Sequence, residues 1–155
     1  VLDEGLGQLT SPGRLQLIGN DPVIYVDSAH NPHGARALVE AVTESFNFEE
    51  LALVVGVMSE KDASGVLRAL APIAHHVTVT PVSSPRSLDS DLLSELAHDA
   101  IPGTPIDVAD SLPEALDHAR AWAGAAEGRA VLVVGSVLLA GEAIAFSRSE
   151  GWGIA

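Results

Sequence analysis

The chain has no cysteine and a single lysine, Lys61. Without thiols it can build neither a disulfide framework nor a thiolate metal site. Cations as a whole are scarce: 8 Lys and Arg stand against 21 Asp and Glu, a net charge of −13. A field of that sign argues against nucleic acid or an anionic membrane surface as partner. An anionic ligand would have to be held by local groups working against it. Long apolar runs are missing too. The longest, Ala130 to Ala140, contains Gly135 and Ser136 and is too short to span a bilayer. There is no signal peptide, internal repeat or low-complexity tract, so a cytoplasmic domain, monomeric by default, is expected. The chain opens on Val1 rather than Met, as a processed or excised piece would.

Several chemistry-bearing motifs are also absent. No G-x-x-x-x-G-K-[ST] occurs, so the chain carries no phosphate-cradling loop of its own. Gly5-Leu6-Gly7 is not continued by glycine at position 10 and is no dinucleotide fingerprint. No nucleophile elbow appears. The histidines at 33, 75, 76, 98 and 118 fall at no metal-ligand spacing, and no metal residues are expected.

What is present is regular alternation. Residues 1–12 are Gly-rich and weakly patterned, and read as a linker or incomplete start. Leu15 to Ile18 reads as a short strand, and Gly19-Asn20-Asp21-Pro22 as a turn into a second strand, Val23 to Val26. Helical spacing then predicts helices over 32–46, 63–71, 88–98, 111–123 and 137–146. In the third of these Leu92, Leu93 and Leu96 are expected on one side. Between the helices lie strand-like runs over 51–55, 76–80, 106–108 and 130–134. Strand followed by helix, repeated, implies right-handed crossovers and a mostly parallel sheet covered on both faces. The expectation is one α/β domain over 13–150, Rossmann-like and doubly wound, with an N-terminal hairpin strand, and a short tail over 151–155.

In such a sheet, ligands bind at the carboxyl ends of the strands. Asp27-Ser28-Ala29-His30-Asn31-Pro32 follows the second strand and puts a carboxylate, a hydroxyl and an imidazole on one strand-to-helix turn. Asn31 can cap the following helix and Pro32 suits its first turn. The same pattern also fits a well-capped turn with a chance histidine. Gly56 to Asp62 follows the next strand. Here Ser59-x-x-Asp62 reads as a capping signature with Lys61 solvated, or as a cation held near a helix start, where an anion is favoured. Ser136, after Gly135, can cap the last helix or donate to a carboxylate. Ser111-Leu112-Pro113-Glu114 reads as a structural cap. Pro12-Gly13-Arg14 places an arginine, suited to bidentate phosphate contact, just before the first strand. Arg86, in the turn 81–87, reads as a surface residue without a role.

Taken together, Pro12-Gly13-Arg14, the Asp27 to Pro32 stretch with Arg14 thirteen positions before Asp27, Gly56 to Asp62 and Gly135-Ser136 resemble the C-terminal domain of the folylpolyglutamate synthases and their dihydrofolate synthase relatives, within the Mur ligase superfamily. The resemblance runs from about Ser11 to Arg148. Ser28 stands where many members have glycine.

The resemblance implies an ATP-dependent ligase of folate biosynthesis. Such an enzyme activates a carboxylate as an acyl phosphate and joins it to the amino group of L-glutamate, with folate or dihydropteroate as acceptor. It also implies that ATP with Mg²⁺ is held mainly by an N-terminal P-loop domain of the same chain. This piece alone would then be inactive and would bind ATP weakly. By the same resemblance Arg14 contacts ATP phosphates, Asp27 accepts hydrogen bonds from the ribose, and His30, the catalytic candidate, lies beside the nucleotide. Lys61 and Ser136 hold the carboxylates of the incoming amino acid. Replacing Arg14 or Asp27 would then impair ATP use with little effect on folding, both being expected at a solvent-facing edge. Two rivals stay open. One is a Mur-type ligase with another substrate domain. The other is a non-catalytic α/β nucleotide-binding module with Asp27 as phosphoacceptor.

Overall fold

Val, Leu and Ile runs of four to six residues alternate along the chain with amphipathic stretches, and the computed structural model turns that alternation into a six-stranded sheet between two helical layers. It describes residues 14–152; the linker expected over 1–12, and Pro12 and Gly13, lie outside the described residues. The elements in chain order are β1 (Gln16–Asn20), β2 (Val23–Val26), α1 (Pro32–Ser45), β3 (Glu50–Val55), α2 (Ala63–Leu70), a 3₁₀ turn (Ala71–Ile73), β4 (His76–Val79), α3 (Ser90–Ala100), β5 (Ile106–Val108), α4 (Leu112–Gly124), β6 (Arg129–Val134) and α5 (Val137–Ser149).

The sheet order is β1-β2-β6-β3-β4-β5. β1 pairs antiparallel with β2, and every other pair is parallel. Because side chains alternate along a strand, each central strand feeds two cores. Leu51, Leu53 and Val55 of β3, with Ala130, Leu132 and Val134 of β6, pack beneath α1, α2 and α3. Ala52, Val54, Val131 and Val133 point the other way, toward α4 and α5. Full burial of a Leu or Val side chain stabilises by about 1.5–3 kcal/mol. The continuous apolar runs that marked these strands are therefore the main adhesive of the fold.

The topology follows from the crossovers. α1, α2 and α3 cover one face as the chain steps outward through β3, β4 and β5. α4 then returns over the opposite face and delivers β6 between β2 and β3. The loops after β2 and β6 thus lead to helices on opposite faces. That reversal opens a crevice at the carboxyl edge, the usual ligand position in open α/β sheets.

Three local expectations are corrected. β1 runs to Asn20, not Ile18, because a bulge between Leu17 and Gly19 absorbs an extra residue and lets pairing continue to the Asp21-Pro22 turn. α2 starts one residue after Asp62, whose carboxylate accepts from Gly65 N–H at 3.0 Å; Ser59 is not the cap. Ser59 sits in the preceding turn, where its N–H donates to the Arg86 carbonyl at 2.7 Å. α3 begins at Ser90 behind its cap Asp89, and that phase turns Leu93 and Ala97 into the core while Leu92 stays 44% exposed. At the other end the packed structure continues to Trp152, which stacks edge-on against Phe146 and lies under the Arg120 guanidinium.

Candidate functional site

The parallel strands point the same way, so the loops 27–31, 56–62, 80–89 and 135–136 share one edge of the sheet. β1 runs antiparallel, with Gln16 opposite Val26. This brings the entry to β1, Arg14 and Leu15, to that same edge. The hairpin strand is therefore what delivers Arg14 to Asp27.

Asp27 holds this corner together. Its Oδ1 accepts from Leu15 N–H at 2.9 Å and its Oδ2 from Ala29 N–H at 2.8 Å. Its own N–H donates to the Val133 carbonyl. The residue is 4% exposed, so the expected solvent-facing carboxylate is corrected: Asp27 is buried because its two oxygens satisfy the backbone of two turns. Burial raises its pKa above the usual carboxylate value, outweighing the Ala29 and Leu15 hydrogen bonds and the Arg14 charge, which pull it down. Leu15 has φ +44°, a left-handed conformation disfavoured for a leucine by about 1 kcal/mol. The Asp27 bond thus pins a strained residue and, with it, the placement of Arg14.

Arg14, Asp27, Ser28, Ala29, His30 and Asn31 line one cleft of about 240 Å³. The His30 ring places Nδ1 3.1 Å from the Ser28 carbonyl. A carbonyl only accepts, so Nδ1 is the donor in that contact. Asn31 caps α1 as expected, accepting from Gly34 N–H at 2.7 Å, with Pro32 as the first helical residue.

Lys61 and Ser136 do not line this cleft. They stand on the two adjoining loops. Lys61 is exposed in the turn ahead of α2, whose first turn abuts Pro32. Ser136 is 2% exposed and its hydroxyl accepts from Leu138 and Leu139 N–H, so capping α5 is its visible role. These loops meet tightly. Gly135 has φ +122°, donates to the Ala29 carbonyl, and leaves no room for a side chain: a Cβ there would lie 2.5 Å from the Gly56 oxygen. The only sequence signal was a glycine directly after an apolar run. Among the described residues no group of three or more His, Asp or Glu could hold a metal ion, and no helix is long and apolar enough to cross a membrane.

The family described as Mur ligase, glutamate ligase domain, matches residues 13–137. The chain belongs to that family. It is 36% identical over 150 residues to the dihydrofolate synthase/folylpolyglutamate synthase of Mycobacterium tuberculosis, across 90% of this chain and 31% of that protein. A crystal structure of the Mycobacterium tuberculosis folylpolyglutamate synthase complexed with ADP and AMPPCP superposes with a TM-score of 0.85 at 35% identity, over 92% of this chain and 34% of the other. The bifunctional folylpolyglutamate synthase/dihydrofolate synthase of Yersinia pestis, complexed with AMPPNP and Mn ion, superposes at 0.75 with 26% identity, over 94% and 33%. This chain therefore spans about a third of the length of the relatives it matches. The Rossmann-like, mostly parallel architecture with its hairpin strand agrees with these neighbours.

Proposed function

We propose that this glutamate ligase domain forms the nucleotide-facing and amino-acid-facing wall of a cytoplasmic folylpolyglutamate synthase, an ATP-dependent ligase that joins L-glutamate to folate. The observation that carries the reading is the Arg14–Leu15–Asp27 corner, in which a hydrogen bond to a buried aspartate sets a cation at the strand edge where ligands sit. The phosphate cradle, the Mg²⁺ ligands and the folate pocket belong to the partner ATPase domain in this reading, and the domain alone is inactive.

Bound ATP supplies the phosphoryl group that activates the folate carboxylate. The residues of this chain position and shield. Arg14 meets phosphate oxygens, for which a planar guanidinium is the suitable donor. Both Asp27 oxygens already accept one backbone N–H, so its first task is to hold Arg14; the remaining lone pairs are what a ribose hydroxyl would donate to. His30, its ring held by the Ser28 carbonyl, orders groups beside the nucleotide. Lys61 attracts a carboxylate of glutamate against the overall negative field, and Ser136 shapes that subsite from the cap of α5.

The test is glutamate ligation by the complete ligase, wild type against Arg14→Ala. The expected result is a rise in KM for ATP of roughly tenfold or more, the loss of a charged phosphate contact, with the melting temperature unchanged. An unchanged KM for ATP removes Arg14 from the site.

A further inference from the structure

The loop from Pro81 to Leu88 bridges two parts of the site edge that are not neighbours in sequence. Internally it is stiff. Val82 N–H donates to the Ser87 hydroxyl, Ser84 N–H to the Val82 carbonyl, Arg86 N–H to the Ser84 hydroxyl and Ser87 N–H to the Ser84 carbonyl. Along one side it is zipped to the turn that carries Lys61. Ser59 N–H donates to the Arg86 carbonyl at 2.7 Å, Leu88 N–H donates to the Val57 carbonyl at 2.8 Å, and Met58 bridges to Ser87. On the other side Glu142 of α5 takes hold of it, accepting from Ser83 N–H at 3.0 Å and from the Ser83 hydroxyl at 2.8 Å. These two bonds join residues 59 apart in the chain.

A two-point contact to a carboxylate fixes direction as well as distance. A stiff body held at Ser83 and zipped at Ser59 transmits any shift at one end to the other. We infer that Glu142 is a positioning residue: by clasping Ser83 it sets the loop 81–88 and, through it, the Lys61 turn that receives glutamate. This rests on the reading of Lys61 given above. The clasp also engages an acidic side chain at an edge meant for an anionic substrate, with both Glu142 oxygens facing donors.

Two measurements test the inference separately. The first needs no activity: trypsin cleavage after Arg86 in the folded chain, wild type against Glu142→Ala. Release of the loop should speed cleavage about fivefold or more, since access to a local site follows local opening. The second is steady-state kinetics of the complete ligase. Glu142→Ala should raise KM for glutamate roughly fivefold, as expected for an exposed charged contact, with kcat within about twofold and KM for ATP unmoved. Glu142→Gln, which keeps one acceptor oxygen, should recover at least half of both effects. Unchanged cleavage in Glu142→Ala overturns the clasp. Faster cleavage with an unchanged KM for glutamate overturns its link to substrate. Lys61→Ala is the control for the underlying reading: an unchanged KM for glutamate there shows that the Lys61 assignment has failed, while the cleavage result still decides the clasp.

Discussion

Replacing Asp27 separates its structural work from its electrostatic burden. In Asp27→Ala two backbone donors, Leu15 N–H and Ala29 N–H, lose their acceptor. An unsatisfied buried donor costs about 1–3 kcal/mol. Leu15 N–H is only part-buried and can recruit water, and removing a buried carboxylate returns some desolvation energy. A net loss of about 2 kcal/mol follows, or roughly 4–8 °C in melting temperature for a domain of this size. Asp27→Asn keeps one acceptor oxygen and should cost about half as much.

The pH dependence carries the sharper test. Burial raises the folded-state pKa of Asp27 above 3.8, so the folded protein binds that proton more tightly than the unfolded chain does. The stability linked to this proton is fully present below the unfolded value and is lost as pH rises through the folded pKa. Asparagine has no such proton. Denaturant titrations of wild type and Asp27→Asn should therefore show a larger penalty for the variant in acid than at neutral pH. Taking the difference between the two proteins cancels the other carboxylates. A penalty that is instead larger at neutral pH would refute the reasoning, because it would mean that the hydrogen bonds and Arg14 outweigh desolvation.

Other outcomes follow from the same corner. Gly135→Ala should destabilise by about 3 kcal/mol or more, measured by denaturant unfolding, since the new Cβ meets the Gly56 oxygen and φ +122° suits only glycine. Ser136→Ala should lower stability by about 1 kcal/mol through loss of the α5 cap. If KM for glutamate stays at the wild-type value in that variant, capping is the residue's whole role. The isolated chain should show no micromolar ATP affinity by calorimetry, because its sequence carries no phosphate-cradling loop; binding at that level would contradict the proposal that a separate domain holds the nucleotide.

Much of this protein is legible without coordinates. The parallel strands announce themselves because burial on both faces demands unbroken apolar runs, as in Leu51 to Val55 and Ala130 to Val134. The helices are marked by their spacing, and Asn31 and Ser136 by the capping demands of the backbone beside them. The candidate residues Arg14, Asp27, His30, Lys61 and Ser136 were legible as polar residue types on turns at strand and helix ends. Tertiary structure decided what each of them touches. That Asp27 is buried, that it fixes Arg14 through Leu15, and that Ser59 gives way to Asp62 as the α2 cap depend on bonds between segments far apart in the chain. So does the Glu142 clasp on Ser83. Local pattern reports what a segment needs from its immediate neighbours. Which distant group supplies a hydrogen bond is set only when the crossovers bring the loops to one edge, and no spacing along the chain records it.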